Sequence, residues 1–177
     1  AALIAWTLLE RGDRVGGIVF SDHGHREVRP RRNKHAVLRL LNELHDFNQK
    51  LTSKVTTQAS INSANYFTDA LANVRRVAKH GSVIFIISDF SSCDESSRIH
   101  LQPLARHNEV VGIHISDPLE HELPTPDLYS ITDGRNRTRI NTAKDRQRES
   151  YKSNFHEEID RVTEEFLRLR SPLLLLQ

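Results

Sequence analysis

Three dipeptides carry the same pair of oxygen-bearing side chains: Ser21-Asp22, Ser88-Asp89 and Ser116-Asp117. Each closes a short apolar run of the kind that forms a strand. Three carboxylates and three hydroxyls brought to one rim would hold a hard cation, because Mg2+ takes oxygen ligands and keeps several of its waters. Taken singly, Asp22 and Asp117 fit the simpler role of turn formers or helix caps. Asp89 follows the most apolar run and precedes Ser91 in a Ser-Ser loop, so a site role is favoured there, with Ser88 and Ser91 beside it. Thr68 stands just before a helical pattern, where its hydroxyl either caps the helix or reaches a metal. Spacing alone leaves both roles open.

Other chemistry is sparser. His23-x-His25 lacks a third ligand at metal-binding spacing. Cys93 has no recognisable histidine–acid pair, and no Gly-x-Ser-x-Gly or phosphate-binding glycine loop occurs. Arg26, Arg29, Arg31, Arg32, Lys34 and Arg39 form the densest basic cluster. It reads either as a solvated face or as a partner-binding patch centred on Arg29, Arg31 and Arg32. No aromatic residue interleaves it, so nucleic acid is not an expected partner.

The elements that must position these groups follow from periodicity. Residues 1–11 read as a helix that is apolar on nearly every side and hence buried, ended by Gly12-Asp13. Residues 15–20 form a short strand, with a second edge strand over 25–29 that closes at Pro30. Val37, Leu40, Leu41, Leu44 and Phe47 keep helical spacing, and Leu51 to Asn65 is a polar loop. A helix over 68–80 has Gly81 where a C-terminal glycine belongs. Residues 83–87 and 110–115 read as strands buried on both faces, as in a parallel sheet. A helix complicated by Pro103 lies between them. Asp133-Gly134-Arg135-Asn136 marks a hairpin between strands over 128–132 and 137–141. Tyr151, Phe155, Ile159, Val162, Phe166 and Leu169 step by fours and threes along one long helix, and residues 172–176 read as another buried strand. Strands alternating with helices imply an α/β fold with a mostly parallel sheet, on whose shared edge the three Ser-Asp pairs would meet.

Composition sets bounds on partners and compartment. The chain has 177 residues, 37% hydrophobic and 27% charged, a balance suited to one globular core. With 25 Lys and Arg against 23 Asp and Glu, the formal charge of +2 argues against a dedicated polyanion binder. No run approaches the length of a transmembrane segment. The single cysteine rules out an internal disulfide framework and points to a reducing, cytoplasmic compartment. There is no methionine, and the chain opens on an uncapped apolar helix. We read that opening as a cut made inside a domain.

The stretch Val83-Ile84-Phe85-Ile86-Ile87-Ser88-Asp89-Phe90 resembles the fourth strand of a von Willebrand factor A domain with the aspartate that follows it, and Phe67-Thr68-Asp69-Ala70-Leu71 resembles that fold's threonine loop. Residues 11–20, Arg29-Pro30-Arg31-Arg32, residues 115–124 and Ala143-Lys144-Asp145-Arg146 resemble the bacterial proteins called domain-of-unknown-function family 58. The resemblance implies a single von Willebrand factor A-like, Rossmann-type domain over residues 1–177, cut on its N-terminal side so that the central strand is missing. It also implies a metal-ion-dependent adhesion site in which Thr68 and Asp89 hold Mg2+. The Asp-x-Ser-x-Ser loop of such sites is absent, and Asp22, Ser88, Ser91 and Asp117 stand as further rim residues.

The function implied is a non-enzymatic protein-interaction module, working with a MoxR-type AAA+ ATPase in assembly or maturation of other proteins. A Mg2+-dependent hydrolase or phosphotransfer enzyme using the strand-end aspartates is the alternative. An electrostatic contact of residues 26–39 with an anionic lipid surface or an acidic protein is a third reading.

Overall fold

The computed structural model describes residues 1–21, 24–52, 66–132 and 137–176, the side chains of 50–52 and 131–132 excepted. The chain divides into two units, Ala1–His80 with Ser92–Pro103 and Gly81–Ser91 with Leu104–Gln177.

The first unit holds α1 (Ala2–Glu10), β1 (Val15–Ser21), β2 (Gly24–Arg31), α2 (Lys34–Thr52), α3 (Tyr66–Val77) and the start of α4 (Glu95–His107). Helix α1 stops where expected, at Gly12, whose φ of +82° suits a residue without Cβ. It is not buried all round. Ala5 joins Val15 and Val37 in a core that Trp6, Leu8, Leu9 and Leu41 pack against, whereas Leu3 is 85% exposed. Apolar character on every side therefore finds a covering partner on one side only.

Strand β1 pairs antiparallel with β2 in a two-stranded sheet of its own. This corrects the expectation that its end shares an edge with the later strands. The connection through Gly24 is short, and a short turn permits only antiparallel pairing; a parallel neighbour needs a crossover of a dozen or more residues. The ladder shifts register at Gly16, opposite Pro30, which has no N–H to donate. Asn33 caps α2, its Oδ1 accepting from the Ala36 N–H at 2.9 Å. In α3, Phe67, Ala70 and Leu71 are buried, and Phe67 meets Phe20 of β1 at 5.9 Å. Of the polar loop expected over 51–65, Leu51 and Thr52 belong to α2 and residues 53–65 lie outside the described residues.

The second unit contains β3 (Val83–Ser88), β4 (Glu109–Ile115), α5 (Pro118–His121), β5 (Leu128–Thr132), β6 (Arg137–Asn141), α6 (Asp145–Arg168) and β7 (Leu173–Leu176). Its main sheet is parallel, in the order β3-β4-β7. Strands β5 and β6 pair antiparallel as the hairpin pattern requires, their turn lying outside the described residues. Among the described residues the parallel sheet has three strands, and the other four strands form two antiparallel pairs.

The four-and-three seam of α6 packs in its C-terminal half, with Val162 and Phe166 each 1% exposed, while Tyr151 at its start is exposed. It crosses β4 at Gly112, where a Cβ would stand 2.6 Å from the Phe166 ring and 2.7 Å from Leu173 Cδ1. Only β4 is buried along most of its length. The sequence suggests β3 and β7 to be buried on both faces, yet among the described residues each has one strand neighbour; Val83 is 47% exposed and Leu174, Leu175 and Leu176 just over half. An apolar run reports that a strand can be buried, not that its place in the sheet order is central. Gly81 does not end α3, which stops at Val77; its N–H donates instead to the His107 carbonyl at 2.8 Å.

Candidate functional site

The parallel strand β3 delivers Asp89 to its C-terminal end, the edge where open α/β sheets bind ligands. The next residue, Phe90, is fully buried and holds a φ of +56°, in the left-handed region. Its ring meets Phe166 edge-on at 5.3 Å and stacks on His114 at 6.1 Å. This anchor turns the chain sharply and leaves Asp89 exposed at the rim.

The Asp89 carboxylate is held at one end. Its Oδ1 accepts from Ser88 Oγ at 3.3 Å and from both the N–H and the Oγ of Ser91 at 3.1 Å. Ser88 Oγ also accepts from the Phe90 N–H at 3.0 Å. Among the described residues, nothing hydrogen-bonds Oδ2. Ser88, Asp89 and Ser91 are therefore brought together as the sequence suggests, as a loop that fixes one oxygen and presents the other.

Asp89 lines a cavity of about 310 Å³ with His114 of β4, Glu120 of α5, and Tyr151, Phe155 and Glu158 of α6. Three carboxylates and an almost completely buried imidazole share one concavity. None of His114, Glu120 or Glu158 is suggested by local sequence, because they come from three different elements, β4, α5 and α6.

Asp117 takes the simpler of its two roles. It caps the short helix α5, with Oδ1 accepting from the Leu119 N–H at 2.8 Å and Pro118 at the first helical position. Its neighbour Ser116 makes a contact the sequence does not announce: Ser116 Oγ lies 2.7 Å from His121 Nε2. The His121 ring packs on Phe155 at 4.1 Å, and Tyr151 donates its hydroxyl to the Leu119 carbonyl at 2.9 Å. Together these contacts fix α5 to α6. Ser116 is 7% exposed, so Ser116→Ala removes a buried hydrogen bond and is expected to lower stability by about 1 kcal/mol. A urea midpoint that does not move would show that the contact contributes nothing.

Thr68 belongs to the first unit and lies inside α3, not at its cap. Its Oγ1 hydrogen-bonds Ser96 Oγ at 3.1 Å and Ser97 Oγ at 3.0 Å. Both serines also donate to Asp94 Oδ1, at 2.6 and 3.2 Å. Asp94 and Ser97 cap the start of α4 reciprocally: Asp94 Oδ1 accepts from the Ser97 N–H and Ser97 Oγ from the Asp94 N–H. The Asp94-x-x-Ser97 spacing is the signal that could have found this cluster. Asp22 and His23 lie outside the described residues.

The donors available to a magnesium ion are correspondingly uneven. The Thr68 hydroxyl already serves Ser96 and Ser97, while Asp89 has an open oxygen. No group of three or more His, Cys, Asp or Glu side chains among the described residues is arranged to hold a metal ion. What fits is a water-rich ion on the single Asp89 carboxylate, since Mg2+ is commonly bound through one or two carboxylates with several waters retained.

In the first unit, Arg29 and Arg31 line a second concavity with Arg39, at the junction of β2 and α2. Arg32 is exposed and outside that lining. No described helix is long and apolar enough to cross a membrane.

A family model described as "Protein of unknown function DUF58" matches residues 1–161. No curated protein matches. Among solved structures, the chain is similar to the crystal structure of the conserved hypothetical protein BatB from Bacteroides thetaiotaomicron, at 12% identity and a TM-score of 0.53, over 99% of this chain and 78% of that one. Similarity at that identity speaks for the fold.

Proposed function

The chain belongs to the DUF58 family, and from that membership we propose that it is a non-enzymatic protein-interaction module of von Willebrand factor A-like type, contacting its partner at the rim formed by the second unit's parallel sheet. The observation that carries this reading is Asp89. One of its oxygens is pinned by Ser88 and Ser91, and the other opens beside a cavity at the sheet's C-terminal end.

The finer form of the reading is magnesium-dependent. An ion held by Asp89 and waters keeps coordination positions that a partner's carboxylate can fill. The partner we propose is a MoxR-type AAA+ ATPase, with assembly or maturation of other proteins as the shared task, in the cytoplasm or at a membrane surface.

The test is a titration of this chain against a MoxR-type ATPase in Mg2+ and then in excess EDTA, with Asp89→Ala alongside. Tight binding in Mg2+ that weakens at least about tenfold in EDTA and in the variant is expected, the scale of one lost charge-assisted contact. Binding untouched by EDTA removes the metal from the reading. Binding untouched by Asp89→Ala removes the rim.

Hydrolysis is the second reading, and the observation on its side is Ser116 Oγ at 2.7 Å from His121 Nε2, the spacing of a nucleophile and its base. It is the weaker of the two. The hydroxyl is almost fully buried, and Asp117, one of the aspartates a metal-dependent hydrolase would use, is engaged as a helix cap. Turnover of a phosphoester panel in Mg2+, lost in Asp89→Ala, would promote it.

A further inference from the structure

An open concavity of about 550 Å³ lies at the junction of β2 and α2 in the first unit, lined by Arg29, Arg31, Asn33, His35, Arg39 and Glu27 among others. Three arginines thus line one concavity, in a chain whose formal charge is only +2. Glu27 is the one carboxylate in the lining, and its charge is already shared: Arg29 approaches it at 3.6 Å and Arg76 at 3.1 Å. Among the described residues, neither Arg31 nor Arg39 pairs with a carboxylate. The cavity therefore carries positive charge that the protein itself leaves uncompensated.

Two further features narrow the ligand. Guanidinium groups bind phosphate bidentately, through parallel N–H donors that match its oxygens. The lining offers no Trp, Tyr or Phe on which a nucleobase could stack. We propose that this cavity is a binding site for a compact phosphate-bearing group, recognised through Arg31 and Arg39 with Arg29 beside them. The site belongs to the first unit and does not depend on the function proposed for Asp89. Its elements explain its form: Pro30 interrupts the β1–β2 ladder between Arg29 and Arg31, and Asn33 starts α2 so that Arg39 lies less than two turns in.

The test uses the full chain and sodium pyrophosphate as the probe, by calorimetry at constant ionic strength so that general screening is held fixed. Saturable binding is expected, weakened on the order of tenfold or more in both Arg31→Gln and Arg39→Gln, the loss of one charge-assisted contact in each. Arg146→Gln, remote in sequence and outside the lining, should bind as the parent does. Vesicles of phosphatidylcholine with phosphatidic acid form a second arm. Response to pyrophosphate places the ligand in solution, and response to these vesicles alone places the same group on a lipid. A polyglutamate peptide that binds as tightly as pyrophosphate would overturn the proposal in favour of general charge attraction. So would pyrophosphate affinity unchanged in both variants, or no binding in either arm.

Discussion

Phe166→Ala is expected to destabilise the parallel-sheet unit by about 3–5 kcal/mol, the range for truncating a fully buried phenylalanine. The ring is 1% exposed, meets Phe90 edge-on at 5.3 Å, and fills the space that Gly112 leaves open on β4. Gly112 itself has no side chain to extend into the gap. A typical domain's stability is about 5–15 kcal/mol, so this one change removes a large part of it. Urea unfolding followed by far-UV circular dichroism should show the midpoint fall steeply. Phe166→Leu, which refills most of the volume, should recover more than half of the loss. If alanine lowers the unfolding free energy by less than about 1 kcal/mol, the helix–sheet packing described for this unit is wrong.

Gly16→Ala is the second large effect, and it acts through backbone. A Cβ at residue 16 would stand 2.5 Å from the Val28 carbonyl oxygen, 2.6 Å from Pro30 N and 2.8 Å from Pro30 Cα. Overpacking typically costs about 1–3 kcal/mol when side chains can shift. Here the opposing atoms are main chain, one of them in a proline ring, so the upper end of that range or beyond is expected. The single tryptophan, Trp6, packs against the core of the same unit, so its fluorescence reports the loss during urea unfolding. Arg29 and Arg31 flank the point of contact, and Gly16→Ala should also weaken pyrophosphate binding by displacing them. Gly12→Ala is the useful contrast: its strain comes from φ, and nothing lies within 4 Å of the added carbon. An alanine at 16 tolerated as well as serine on an open surface would overturn the bulge as described.

Periodicity made the helices and the paired strands legible. The α6 seam needs only side chains that return to one face every three or four residues, and that requirement is written locally. Sheet order is not local. Val83–Ser88 and Leu173–Leu176 have the composition of central strands and lie at the edges of the order β3-β4-β7. Likewise, the apolar first helix carried no information about what would cover its second side. The same distinction applies to the site. Asp89 could be singled out because strand, aspartate and serine loop are consecutive. His114, Glu120 and Glu158 join it only through tertiary packing, and a lone histidine in an apolar strand gives no periodic signal. Asp117 and the Asp94–Ser97 pair act as helix caps, since a carboxylate two or three residues before a free helical N–H finds its partner at once.

Phe90 carries a consequence for the contact proposed at the rim. A residue with a β carbon held in the left-handed region costs about 1–2 kcal/mol, and burial of the aromatic ring against α6 offsets it. The turn that presents Asp89 is therefore set when the core forms, well before any ligand arrives. Its ordering entropy is spent during folding, which leaves little to be lost on association and makes the rim preorganised. Mutations around Phe166 would then weaken recognition through the mobility of the carboxylate, even where every group that touches the partner is unchanged.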